Sequence, residues 1–213
     1  MLPATFVASS VRRVAISIGA VALVLVVGAV QASASTAGIA KKRPTINTFK
    51  DWDGGQSVVP FGCPDTTTYG QTFTVPGHKT AMNKVTWVWN GTGGSMVVRG
   101  ELYAWNGTMA TGSAIFETAP KTIAFGDSNW HHVSFNFQGA SVTPGHQYVV
   151  FASIDKDYEQ CSNYVVAWGA VADTSYGGGT FVFQNNSGNE ANWTTVPWNG
   201  AGIDSTFKAY LGT

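Results

Sequence analysis

Four residues suited to holding a sugar fall at alternate positions in one short stretch: Arg99, Glu101, Tyr103 and Trp105. A sugar ring presents a flat apolar face edged with hydroxyls. A protein surface that binds one therefore needs an aromatic ring to stack on and charged or amide groups to bond the edge. In an extended strand, alternate side chains share a face. Over Met96–Trp105, Met96, Val98, Leu102 and Ala104 then face one way, and Arg99, Glu101, Tyr103 and Trp105 the other. Trp193 and Trp198, in a Gly/Asn-rich loop, extend this strip as ligand-binding candidates. The competing reading is structural. Arg99 and Glu101 would then be a cross-strand ion pair on a solvated face, and Trp105 would pack over a sheet edge before the Asn106-Gly107 turn.

A second cluster is acidic. If Asp155-Lys-Asp157-Tyr-Glu159 is extended, its three carboxylates share a face. Hard oxygen ligands so placed could hold a structural Ca²⁺, which takes about six to eight oxygens. Two acids about 5 Å apart could instead serve a retaining glycosidase. The plain alternative is a solvated loop. Asp51-Trp-Asp53-Gly-Gly resembles the start of a calcium loop, but Gly55 stands where a third oxygen ligand belongs.

Cys63 and Cys161 are the two cysteines, and neither has a metal ligand at CxxC or CxxH spacing. In an exported chain an even count predicts a disulfide; two buried free thiols are the alternative. No catalytic motif is present: no Gly-x-Ser-x-Gly, no His-Glu-x-x-His and no P-loop. His131 and His132 are adjacent, so on a strand they point to opposite faces and cannot chelate one metal together. The expectation is that no catalytic residue is present and the chain is not an enzyme.

The elements that position these residues are strands. Val85, Trp87 and Trp89 alternate with Lys84, Thr86 and Val88. His131, Val133, Phe135 and Phe137 alternate with His132, Ser134 and Asn136; Ile203, Ser205, Phe207 and Ala209 alternate with Asp204, Thr206 and Lys208. Phe73 and Val75 repeat the pattern, and Tyr148–Ile154, Tyr164–Trp168 and Thr180–Gln184 add further strands. Period two with β-branched and aromatic enrichment is the signature of half-buried strands. Turn residues punctuate them, including Pro76-Gly77, Asn90-Gly91, Asn106-Gly107 and Pro144-Gly145. No helical period appears after residue 34. The expected fold class is all-β: a two-layer antiparallel β-sandwich after an N-terminal signal helix. An immunoglobulin-like topology puts its cysteine pair across the core around a Trp. Here Cys63 precedes the first clear strand and Cys161 sits in a polar loop, so a jelly-roll-like topology is preferred.

The order of motifs carries a resemblance. Phe73-Thr-Val-Pro-Gly77, Tyr103-Ala-Trp-Asn-Gly107, Pro144-Gly-His-Gln-Tyr-Val-Val-Phe151, Tyr176-Gly-Gly-Gly-Thr-Phe181, Trp193 and Asp204-Ser-Thr-Phe207 follow one another. This order is similar to that of bacterial secreted jelly-roll domains found in uncharacterised surface and sorting-signal proteins, over about residues 70–211. The resemblance implies a sandwich fold and transfers no catalytic residue. The given sequence departs from it in lacking a C-terminal Leu-Pro-x-Thr-Gly motif.

The remaining expectations come from composition. Arg12 and Arg13 precede an uncharged run from Val14 to Val30, and Ala32-Ser33-Ala34 offers a cleavage site. Residues 1–34 read as a signal peptide, with a retained anchor as the alternative, and the protein as secreted. Residues 35–60 read as a flexible arm pinned by Phe49, Trp52 and Phe61, and residues 61–213 as the sandwich. Without its leader the chain keeps 10 basic and 12 acidic residues. Nucleic acid is excluded as a partner on charge, and after cleavage no membrane partner is expected. An exported monomer rich in aromatics then reads as a recognition module for an extracellular glycan. A surface-protein partner is the first alternative and glycoside hydrolysis the second.

Overall fold

The computed structural model describes residues 43–161, 164–172 and 176–213. The expected signal peptide, and the arm as far as residue 42, lie outside the described residues. The rest is an all-β sandwich of two antiparallel sheets.

Fourteen strands build it: β1 Ile46–Asn47, β2 Ser57–Gly62, β3 Thr68–Thr74, β4 Ala81–Asn90, β5 Gly94–Trp105, β6 Ala110–Glu117, β7 Lys121–Phe125, β8 Trp130–Ser141, β9 Gln147–Ser153, β10 Val165–Val171, β11 Phe181–Gln184, β12 Asn199–Gly200, β13 Asp204–Ser205 and β14 Phe207–Gly212. In the first sheet β4 is central, with β8 along one edge and β14 followed by β10 along the other. β1 adds to β14, and β2 and β13 add to β10. The second sheet runs β12-β11-β3-β9-β5-β6, and β7 continues the β6 edge of β5. Consecutive strands repeatedly cross from sheet to sheet, which is the jelly-roll habit.

Alternation decides the core. Trp87, Trp89, Phe207 and Phe137 project inward from the first sheet and meet Phe73, Leu102 and Val98 of the second, all fully buried. Trp168 stacks on Trp89 at 4.6 Å between ring centroids and lies 5.0 Å from Trp87. Each such ring removes some 150–250 Å² from water, so these inward rows carry most of the hydrophobic gain.

The sandwich begins before residue 61, earlier than the sequence places it. Residues 46–62 already supply β1 and β2. Thr48 is fully buried: its hydroxyl donates to the Ser205 carbonyl at 2.8 Å, and the Phe207 N–H donates to it at 2.8 Å. With two residues in β1 and Pro60 in β2, neither shows the strand period in sequence. Most residues of β6 and β7 are exposed or half-buried, so these strands lack a clean apolar alternation.

Cys63 and Cys161 form a disulfide, with Cα atoms 6.3 Å apart. It ties the end of β2 to the 3-10 turn Asp155–Gln160. A four-residue helix, α1, spans Asn192–Thr195. Among the described residues no helix is long and apolar enough to cross a membrane.

Candidate functional site

The sequence-predicted strip exists as a set of neighbours but is closed. Arg99, Glu101, Tyr103 and Trp105 do share the outward face of β5, opposite Met96, Val98 and Leu102. The chain from 185 to 200 folds back over that face and makes a second core on it. Tyr103, Val149, Phe151, Val182, Trp193 and Trp198 pack there. Trp193 is only 2% exposed. Its ring lies 4.9 Å from Phe151, its indole N–H donates to Thr68 Oγ1 at 3.1 Å, and its carbonyl accepts from the Trp198 indole at 2.9 Å. Trp105 is half-buried, edge-on to Trp198 at 5.7 Å. Tyr103, Trp193 and Trp198 therefore offer no free face for stacking. This corrects the expectation of an open strip: the face is outward in the sheet but not solvent-facing.

The polar half of the strip is an ion-pair network. The β5–β6 register sets Glu101 directly opposite Glu117, a pair that repels when both are ionised. The 155–160 turn supplies the compensation. Lys156 Nζ bonds Glu117 Oε2 and lies 3.5 Å from Glu101 Oε1 and 3.7 Å from Glu190. Arg99 grips Asp157 with two nitrogens at 2.8 and 3.2 Å, and its third donates to Glu117 at 2.7 Å. Burial pushes the Glu101 carboxyl up to about 8, and Lys156 only partly opposes it. Burial also raises Glu117, but the bonds from Lys156 and Arg99 outweigh it and hold that carboxyl below its usual value. The hydrogen bond to Asp157 holds the Arg99 guanidinium still more firmly charged. Burial, with Glu101 adding to it, pushes the Tyr103 phenol up to about 12. Two neighbouring carboxyls with separated proton affinities are the raw material of acid–base catalysis. Here Glu101 is 0% exposed beneath Lys156, so no substrate reaches it; the network fastens the turn and the 185–200 cover to the sheet.

The acidic cluster does not converge. Residues 155–160 form a 3-10 turn rather than an extended run, which aims alternate side chains apart. Asp155 is buried and accepts from Thr68 Oγ1 at 3.2 Å and from the Asn186 amide. Asp157 serves Arg99, and Glu159 is exposed. Among the described residues no three His, Cys, Asp or Glu side chains are placed to hold a metal ion. The calcium reading of Asp155, Asp157 and Glu159 is corrected on that geometry.

The open aromatic surface is on the other sheet. Cross-strand pairing aligns Trp130 with Asn90, His132 with Val88, Ser134 with Thr86, and Asn136 with Lys84. On the other side of β4, Lys208 pairs with Thr86 and Tyr210 with Lys84; Asn47 pairs with Lys208. The turn after β1 lays Phe49 over this face, 5.0 Å from His132, and brings Trp52 edge-on to Trp130 at 5.2 Å. Trp52, Trp130, Phe49, Lys84, Lys208 and Tyr210 are half-buried, while His132 and Asn136 are exposed. From Trp130 to Asn136 the row is roughly 20 Å long, at about 3.4 Å per residue. Beside it, along the free edge of β8, runs a groove of about 260 Å³ whose walls include Glu117, Lys121, Ser134, Asn136 and Gln138. Ser134 and Asn136 belong to both. His131 and His132 do point apart: His131 meets Asp127 at 2.6 Å and packs near Phe125. Burial, and then Lys208, lowers the proton affinity of His132.

Sequence reasoning missed this row as a site, although the outward set of β8 was already written in its alternation. What it lacked was the partner turn: nothing in the spacing of Phe49 and Trp52 shows that they land beside His132 and Trp130.

No family model matches the chain, and no curated protein matches its sequence. Among solved structures, it is similar to the cysteine protease and lectin-like domains of Cwp84, a surface layer associated protein of Clostridium difficile, at 10% identity and a TM-score of 0.41. The match covers 70% of this chain and 32% of that one, so the chain spans about a third of that structure's length.

Proposed function

We propose that this protein is an exported, non-catalytic recognition module that binds extracellular carbohydrate through the outer face of the first sheet. One observation carries the reading: a row of partly exposed aromatic rings, Trp52, Trp130 and His132, continues along β8 to Ser134 and Asn136, whose short polar groups edge a groove. The indoles would take the apolar face of a sugar, and the hydroxyl and amide its edge. The disulfide supports export, because such bonds persist in oxidising compartments; the pattern of residues 1–34 supports it independently. The non-catalytic part rests on the burial of Glu101 and on the use of Asp157 and Glu117 as ion-pair partners.

Affinity electrophoresis of the purified protein through gels containing soluble polysaccharides tests this. At least one polysaccharide is expected to retard it, and Trp130→Ala and Trp52→Ala to weaken retardation tenfold or more, on the order of 1–3 kcal/mol per stacked ring. Trp105→Ala is expected to leave it unchanged. Migration unaffected by any polysaccharide in the set would overturn the reading.

A further inference from the structure

The charges of the two faces differ in kind. On the second sheet, Arg99 and Lys156 are consumed by Asp157, Glu117, Glu101 and Glu190. On the first sheet, Lys84 and Lys208 have no carboxylate partner among the described residues. Each ammonium instead rests on an aromatic ring, Lys84 on Tyr210 at 4.2 Å and Lys208 on Phe49 at 4.1 Å. They are diagonal neighbours, since Tyr210 opposite Lys84 is two residues from Lys208, which places their backbone positions roughly 7–8 Å apart. Lys121 adds a third cation at the groove, its Nζ donating to the Ser134 carbonyl at 3.2 Å.

The nearby acids are spoken for. Asp51 pairs with Lys50 at 3.7 Å. Asp53 caps its own turn, accepting the Gly55 and Gln56 N–H groups. Glu117 on the groove wall is held by Arg99 and Lys156. Two neighbouring cations fixed on rings without a counter-charge repel one another, and an anion laid between or along them removes that cost. Ring contacts also restrict the lysine stems, so less freedom is lost when an anion binds.

We infer that the ligand of this face is an acidic polysaccharide whose sugar units carry carboxylates. This rests on the carbohydrate reading above and deepens it. Lys84 and Lys208 sit on separate rings and do not converge into one pocket. Separate single charges along a row match a chain bearing one carboxylate per unit better than one multiply charged group. The uncharged edges of the sugars would meet Asn136, Ser134 and the two indoles.

The test compares polygalacturonate, its fully methyl-esterified form and dextran sulfate in the same electrophoretic assay, with Lys84→Gln, Lys208→Gln and Trp130→Ala. Polygalacturonate is expected to bind best. Each lysine change should weaken it about two- to fivefold, the range of an exposed charge contact. Esterification should weaken it by about the product of the two, and raised salt should do the same. Equal binding of the esterified and free polymers, still lost in Trp130→Ala, overturns the acidic ligand and leaves the carbohydrate reading standing. Preference for dextran sulfate, with the lysine effects intact, overturns the carboxylate assignment. Binding of no polysaccharide at all, neutral ones included, overturns both.

Discussion

Glu101 shows how one residue is set by its surroundings. It lies opposite Glu117 and beneath Lys156, whose Nζ stands 3.5 Å from Oε1. Burial prevails over Lys156, and the carboxyl is pushed up from 4.5 to about 8. The folded chain therefore holds a proton that the unfolded chain releases between those values. This group's stabilising contribution is full below about pH 4.5 and is lost as pH rises through about 8. Glu117 acts in the opposite sense, but its window lies at and below 4.5, because its folded value is depressed. Glu101→Gln, which keeps the shape and cannot ionise, is expected to flatten the fall in stability between about pH 5 and pH 8. At pH 8 it should exceed the wild type by on the order of 1–3 kcal/mol. Urea unfolding across that range checks it; an unchanged slope in the variant would show that Glu101 is ionised throughout.

At the scale of elements, β5 and β8 have the same alternating pattern and opposite fates. Outward from β5, Tyr103 is covered by Trp193 and Trp198 of the 185–200 segment. Outward from β8, Trp130 and His132 meet the short turn carrying Phe49 and Trp52, and Asn136 is exposed. The two sites should respond differently to truncation. Trp193→Ala removes the centre of the second core and should cost about 3–5 kcal/mol. It should also expose the 185–200 segment to protease, which limited proteolysis with mass mapping would detect. Trp130→Ala, at a half-exposed site, should cost about 1 kcal/mol or less while weakening carbohydrate binding tenfold or more. A severe loss of stability in Trp130→Ala would instead make that ring a structural part of the face. Gly179 is fixed by a close approach: a Cβ there would collide with the Thr72 carbonyl of β3, so this glycine is required where the chain runs against the sheet.

For the molecule as a whole, the Cys63–Cys161 bridge spans 98 residues and anchors the turn that supplies Lys156 and Asp157. Closing so long a loop is worth about 4–5 kcal/mol in the chain-entropy account. Replacing both cysteines with alanine should lower the melting temperature by about 8–20 °C, at roughly 2–4 °C per kcal/mol for a chain of this size. Calorimetry of the double variant measures it; a shift of a degree or two would mean that the ion pairs and β2 hold the turn unaided. The sequence by itself determined the inward rows. A half-buried strand must place apolar groups at every second position, so Val85, Trp87 and Trp89, or Val98 and Leu102, announce both the strand and its core side. The cysteine count likewise left one possible intramolecular pair, Cys63–Cys161, against two free thiols, and the structure forms the bridge. Whether an outward face is wet was decided only in three dimensions. Period two says which residues share a face and nothing about what lies above it. That depends on segments distant in the chain: residues 185–200 closing over Tyr103 and Trp105, the 155–160 turn engaging Arg99 and Glu101, and residues 49–52 reaching Trp130 and His132 while leaving their row open to solvent.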